Sequence, residues 1–294
     1  MKKKTIYALG FFDGVHGGHQ VLLQACRQLA AHTGCQTGAV TFSAHPESLI
    51  SGQPPLLINT VEDRQWLLRE FGMTEVLVLP FDEQLRTKPW QVFLEDLLDR
   101  GAVGFICGDD FRFGFRGQGN AQTLADFCRE RNLFWSIIPA QTLDDTRISS
   151  TYIRQLLEQG EMEQAVRFLK HPHMLTGTVV SGRQIGTTIG IPTANLQLPT
   201  GIVCPRHGVY ACKAIVDGKQ YLAVTNIGSR PTVGGHHVTV EPWLLDFQGD
   251  LYGKTLTLQF YSFLRPEKKF PSLEALREEI RKNAEETRKI LGNS

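Results

Sequence analysis

Apolar and polar positions divide this chain into two textures. In the first half, short apolar runs alternate with segments of helical spacing. Residues 6–12, 37–42, 75–79, 103–107 and 134–138 read as strands, and 75–79 is apolar without interruption, as in a parallel strand covered on both faces. Between them, residues 18–31, 61–71, 90–98 and 123–131 repeat apolar side chains with helical period; Val21, Leu22, Ala25 and Leu29 share one side of the first. Strand alternating with helix predicts a Rossmann-like, mostly parallel α/β sheet. Two shorter helices, 149–159 and 161–170, follow. His171-Pro172-His173 then breaks the pattern, because proline biases its predecessor away from helix. The expected division is into domains 1–171 and 172–294.

Beyond residue 172, five strand-like runs lie at 175–181, 209–216, 220–226, 237–245 and 255–264, punctuated by glycine, proline, asparagine and aspartate. This pattern predicts a small antiparallel β-barrel. One amphipathic helix, 272–291, closes the chain with Ser272 as N-cap.

Composition narrows the class. The 294 residues are 41% apolar, enough for a core in each half, and 31 basic against 30 acidic residues leave a net charge of +1. No basic excess points to nucleic acid. No apolar stretch reaches the roughly 20 residues of a membrane span. The run after Lys2-Lys3-Lys4 is cut by Gly10 and Asp13, so it does not read as a signal peptide. The expectation is a soluble cytoplasmic protein with no nucleic-acid or membrane partner; the oligomeric state is not given by the sequence. None of the six cysteines forms a Cys-x-x-Cys pair, and they read as buried small hydrophobes.

Chemistry concentrates first at Gly10-Phe11-Phe12-Asp13-Gly14-Val15-His16-Gly17-Gly18-His19, where a strand yields to a helix. Open parallel sheets bind ligands there, and free amides at a helix start attract anions. His16 and His19 share one face of the first turn. A phosphate clamp and a tight turn with polar surface histidines both account for these residues alone. Walker and dinucleotide fingerprints do not fit. A second cluster, Ile148-Ser149-Ser150-Thr151-Tyr152-Ile153-Arg154, is by itself an ordinary helix N-cap.

The first of these segments contains a His-x-Gly-His signature and resembles the nucleotidylyltransferase superfamily. More narrowly, it resembles the bacterial bifunctional riboflavin kinase/FAD synthetase family, and the resemblance continues through most of the chain. It implies that Gly10–Gly14, Gly18 and the catalytic pair His16 and His19 bind ATP with Ser149, Ser150, Thr151 and Arg154, the last supplying a fixed fork of donors for the departing pyrophosphate. Thr41-Phe42-Ser43-Ala44-His45-Pro46 and Gly108-Asp109-Asp110-Phe111-Arg112-Phe113-Gly114 resemble the family's flavin-binding segments. Phe42, His45, Pro46, Asp110, Phe111 and Phe113 are the flavin candidates there, although Phe111 and Phe113 also suit a core. Gly117 stands where the family has arginine, with Arg116 one residue earlier.

In the barrel half, Gly190-Ile191-Pro192-Thr193-Ala194-Asn195 reads as a turn feeding a strand. It resembles the family's kinase motif, which implies that Thr193 and Asn195 hold magnesium, an ion that prefers oxygen ligands. Glu241 aligns with the kinase's general base, and Arg288 with a flavin contact. Two positions depart from the family: Thr187 replaces an arginine, and Asn283 an aspartate beside the flavin. The leading expectation is an enzyme that makes FMN from riboflavin and FAD from FMN, with ATP and Mg2+. Two alternatives stand beside it: an FAD synthetase whose barrel is degenerate, and a flavin-binding regulator without turnover. Two ATP phosphate sites argue against the regulator.

Overall fold

The computed structural model describes residues 3–50, 52–181, 190–232 and 235–292, with main chain alone at 50, 230–232 and 235–237. Two compact units form, one from Met1–Leu56 with Val61–Ser150, the other from Leu57–Thr60 with Thr151–Ser294.

The first unit is built on five parallel strands: β1 (Thr5–Leu9), β2 (Gln36–Phe42), β3 (Glu75–Leu79), β4 (Ala102–Gly108) and, after two short hairpin strands β5 (Arg112–Phe113) and β6 (Gly119–Asn120), β7 (Phe134–Ile138). Their order is β3-β2-β1-β4-β7, so the winding reverses beside β1. At such a switch point the loops leaving the strands diverge and a crevice opens at the carboxyl ends. The expected strand 6–12 stops at Leu9. Phe12 takes a left-handed φ of 60°, which ends the extended backbone.

Helix α1 (Gly17–Thr33) buries Leu22, Leu23, Cys26 and Ala30 against the sheet, and Gly34 ends it in a left-handed cap at φ 66°. After the single turn α2 (Glu47–Ile50) comes α3 (Val61–Glu70), whose buried face is Asp63, Arg64, Leu67 and Leu68. The single turn α4 (Glu83–Arg86) and helix α5 (Trp90–Asp99) precede β4. Helix α6 (Ala121–Glu130) begins two residues before the expected 123, because Asn120 and Thr123 form a reciprocal capping box. Tyr7, Leu9, Phe93, Phe105, Leu124 and Phe127 belong to the core on one face.

The second unit leads off with helices α7 (Ser150–Gln159, opening at the unit boundary) and α8 (Met162–Leu169). The hairpin β8 (Thr142–Leu143) and β9 (Thr146–Arg147) lies just before them in the chain. A closed barrel follows: β10 (His173–Val180), β11 (Asn195–Gln197), β12 (Gly208–Val216), β13 (Lys219–Thr232), β14 (Gly235–Leu244) and β15 (Thr255–Arg265), ordered β10-β11-β14-β13-β12-β15. Each of these pairs is antiparallel, as the alternation predicts. β12 and β13 turn through Asp217 and Gly218, both at positive φ (50° and 72°), the twist-matched geometry of a two-residue hairpin. Helix α9 (Leu273–Leu291) is capped by Ser272, whose side chain accepts from the Ala275 amide, and buries Asn283, Ala284, Thr287 and Leu291. All six cysteines are free.

Candidate functional sites

In the first unit the loop after β1 folds into a tight single turn over Asp13–Val15, with Gly14 at φ 79°. Val15 (φ 40°), like Phe12, is held left-handed without being glycine. Side chains from elsewhere fix this turn. Gln20 Nε2 donates to the Val15 carbonyl at 2.9 Å, and Thr41 Oγ1 to the Phe11 carbonyl at 2.7 Å. The Ser150 hydroxyl donates to the Asp13 carbonyl at 2.9 Å, joining the two clusters that lie far apart in the sequence. Arg154 lies one turn further along α7, on the face that begins at Ser150.

His16 is the N-cap of α1, its Nδ1 accepting from the His19 amide at 3.3 Å. The two imidazoles stack at 3.6 Å between centroids and 10° between planes, and Phe12 meets His19 edge-on at 5.2 Å. A Cβ at Gly18 would sit 3.3 Å from the His16 ring, which would have to shift by a few tenths of an ångström to admit it. Desolvation first, then His16 and Arg64, hold the His19 imidazole well below the usual histidine range. His19 therefore meets a ligand as a neutral ring, stacked on His16 beside the start of a helix, an arrangement suited to phosphate.

Arg64, which a reading of the sequence passes over, is the largest fully buried side chain. It donates Nη1 to the Phe11 carbonyl at 3.1 Å and Nη2 to the Phe42 carbonyl at 2.7 Å, with its guanidinium 4.4 Å from the Phe11 ring centroid. Burial lowers its pKa to about 10, against the pull of Asp13 and Glu62, so it stays charged. It ties the phosphate loop to the strand end that carries Phe42. Arg64 shares its buried face of α3 with Asp63, Leu67 and Leu68, and pattern reading takes such adjacent charges for surface.

A cavity of about 450 Å³ is lined by Phe42, Pro46, Phe81, Phe93, Phe113, Arg112 and Arg116, among others. Of the flavin candidates, Phe42, Pro46 and Phe113 line it. His45 instead packs edge-on against Phe11 at 4.9 Å, and its Nδ1 accepts from the Glu47 amide. Phe113 is 5% exposed and belongs to the core, with Phe111 stacked on it at 5.5 Å. Asp110 is exposed and pairs with Arg147. Arg116 reaches the cavity from a left-handed residue (φ 52°).

In the barrel, the Ala194 amide donates to the Pro242 carbonyl at 2.9 Å, which sets the Thr193 turn beside Glu241. Thr193 lines two cavities. One, about 350 Å³, holds Glu241, Asn226, Trp243, Arg265, Phe270 and Asn283; the other, about 300 Å³, is walled by Pro192, Ala194, Phe247, Leu251 and Tyr252. Asn195 opens β11 opposite Val180 and lines neither cavity. Asn226 is Glu241's cross-strand partner. Arg288 does not line these cavities; it pairs with Asp246 at 2.8 Å. Thr187 lies outside the described residues.

Comparisons with known proteins follow this division. A family model described as FAD synthetase matches residues 1–152, and one described as riboflavin kinase matches residues 169–291. Proteins named bifunctional riboflavin kinase/FMN adenylyltransferase are similar over nearly the full chain. That of Listeria monocytogenes is 34% identical over 96% of this chain and 91% of its own length. That of Pseudomonas fluorescens is 36% identical over 94% and 89%; that of Escherichia coli K12, 34% over 98% and 93%. A crystal structure titled macrolide-efflux protein, from Streptococcus pneumoniae, is similar at TM-score 0.86 and 29% identity over 98% of this chain and 95% of its own. Among the described residues no helix is long and apolar enough to cross a membrane.

Proposed function

The chain belongs to the bifunctional riboflavin kinase/FMN adenylyltransferase family, and from that premise we propose which residues perform each reaction. The enzyme phosphorylates riboflavin to FMN and adenylylates FMN to FAD, using ATP in both steps.

Adenylyl transfer is assigned to residues 1–171. The observation that supports this most is the stacked His16–His19 pair on the α1 start, with Ser150 bound to the Asp13 carbonyl. ATP places its phosphates on the α1 amides, His16 and His19, with Ser149, Ser150, Thr151 and Arg154 toward the beta and gamma phosphates. Gly10, Phe11, Phe12, Asp13, Gly14 and Gly18 let the main chain approach. A phosphate oxygen of FMN attacks the alpha phosphorus; the bond from that phosphorus to the bridging oxygen breaks, and pyrophosphate leaves. In-line placement and neutralisation of the leaving charge are the catalytic contributions. The flavin ring enters the aromatic cavity of Phe42, Pro46 and Phe113, with His45, Asp110 and Phe111 around it.

Phosphoryl transfer is assigned to residues 172–294, and Thr193 at the wall of two cavities supports it. The flavin lies on the Glu241 side, under α9, with Arg288 at that helix's outer end; the nucleotide lies on the Tyr252 side. Glu241 accepts the proton of the ribityl hydroxyl as its oxygen bonds to the gamma phosphorus and ADP departs. The Thr193 hydroxyl and the Asn195 amide oxygen are hard donors that fit Mg2+, with phosphates and water completing its shell. A magnesium ion held there would supply charge neutralisation on the phosphates. The substrates are small molecules and the setting we assign is the cytoplasm; neither nucleic acid nor membrane has a part.

The test is direct. Purified protein is incubated with riboflavin, ATP and magnesium, and the flavins are resolved by chromatography. His19→Ala abolishes FAD while FMN still forms; Glu241→Ala abolishes FMN while FAD still forms from supplied FMN. Retention of both products in both variants would refute the assignments.

A further inference from the structure

Asn283 stands on α9 at the edge of the Glu241 cavity, 4% exposed. Its Oδ1 faces Arg265 Nε at 3.1 Å. A guanidinium donates and never accepts, so the atom toward it is the amide oxygen, and the amide orientation is fixed. Arg265 is itself anchored by Glu279 at 3.2 Å and by the Pro266 carbonyl at 3.1 Å. Glu279 is held in turn by Lys268 at 2.7 Å. The main chain is pinned as well, since Thr287 Oγ1 donates to the Asn283 carbonyl at 2.8 Å. With the oxygen engaged, Asn283 has its two N–H groups left for the cavity it lines.

A ligand covering these donors must offer an acceptor, or a buried N–H goes unmet at a cost of about 1–3 kcal/mol. Only one edge of an isoalloxazine has oxygen acceptors, the pyrimidine edge with its two carbonyls flanking an N–H. The dimethylbenzene edge has none. A side chain that presents donors pairs with a carbonyl; one that presents only acceptors pairs with the N–H between the carbonyls. Resting on the reading of this cavity as the riboflavin site, we propose that Asn283 is a specificity-determining residue of the kinase, whose amide, turned by Arg265, donates to a pyrimidine carbonyl of the flavin.

The experiment uses the full chain, N283D, and two substrates, riboflavin and N3-methylriboflavin, which lacks the ring N–H. FMN-type products are quantified by chromatography, and kcat/KM is obtained for each pair. Crowding by the methyl group acts on both proteins, so the comparison of ratios isolates the hydrogen bond. The expected result is a preference for riboflavin over its N3-methyl form roughly tenfold larger in N283D than in the parent, because an aspartate at this position needs the N–H that the methyl removes. An equal or smaller preference in N283D overturns the proposal. Because FAD formation belongs to the other unit, retained phosphorylation of riboflavin itself is what reports that the variant's barrel is folded. If N283D does not accumulate, N283L serves: it neither donates nor accepts, and should raise the riboflavin KM roughly tenfold with the ATP KM unmoved. An unchanged riboflavin KM overturns the proposal. Failure of the parent enzyme to phosphorylate riboflavin at all would instead remove the cavity assignment on which the proposal stands.

Discussion

Arg64→Met is the sharpest probe of the first unit. Methionine fills a similar length without a charge or a donor, so packing is mostly kept and two hydrogen bonds are lost. The Phe11 carbonyl retains Thr41 Oγ1 at 2.7 Å, whereas the Phe42 carbonyl loses the arginine at 2.7 Å. Charge-assisted bonds contribute about 1.5–3 kcal/mol each, and the cation over the Phe11 ring adds about 1 kcal/mol. Relief of a buried charge offsets part of this. The net expectation is a loss of about 2–4 kcal/mol. For a unit of this size that lowers the midpoint of thermal unfolding by about 3 °C per kcal/mol, or roughly 6–12 °C. The assay follows heat inactivation of both activities in one sample. FAD formation is lost at lower temperature in the variant, while FMN formation is lost at the parent's temperature. A shift under about 3 °C would mean that Arg64 does not hold the loop, and equal loss of both activities would mean that it does not act within the first unit alone.

Three further outcomes are expected. Gly38→Ala puts a Cβ 2.4 Å from the Tyr7 ring, and overpacking of this kind costs about 1–3 kcal/mol, readable as a lower urea midpoint. His173 is fully buried, and burial followed by His171 pushes its pKa down to about 3. Unfolded, it titrates near the ordinary value of about 6.5; the unfolded chain therefore binds a proton that the folded one refuses, and stability is full above that pH and falls as pH drops toward 3. In urea titrations His173→Leu should flatten this acid slope by up to about 1.4 kcal/mol per pH unit, and an unchanged slope would count against a neutral buried histidine. Thr193→Ala should raise the KM for riboflavin and for ATP together, since the residue lines both cavities; a change confined to one substrate contradicts the shared wall.

The sequence carried the architecture well because both sheet types write themselves in period. Continuous apolar runs such as 75–79 marked parallel strands, and alternation with polar turns marked the barrel. The three-residue β11 and the two-residue hairpins are too short to show a period. The phosphate loop was legible as a place, through its glycines and histidines, but not as a shape. Its left-handed Phe12 and Val15 are held by partners from distant segments, Arg64, Thr41 and Ser150. Such partners are ordinary residues in their own neighbourhoods: Arg64 reads as helix surface and Ser150 as a cap. Asn283 was noticed for what it replaces, while its donor role depends on Arg265, 18 residues away in the chain.

The left-handed turn at Phe12, Gly14 and Val15 has a consequence for turnover. Non-glycine residues in that region, a β-branched valine above all, carry strain of about 1–3 kcal/mol each. An enzyme that shaped its anion pocket only upon meeting nucleotide would meet that penalty in every cycle. Here it falls once, when the chain folds, and the turn already has its shape when ATP arrives. The site is thus preorganised at the expense of fold stability. Relaxing it with Val15→Gly should slow FAD formation, and because the same change removes a fully buried side chain, heat resistance should not rise.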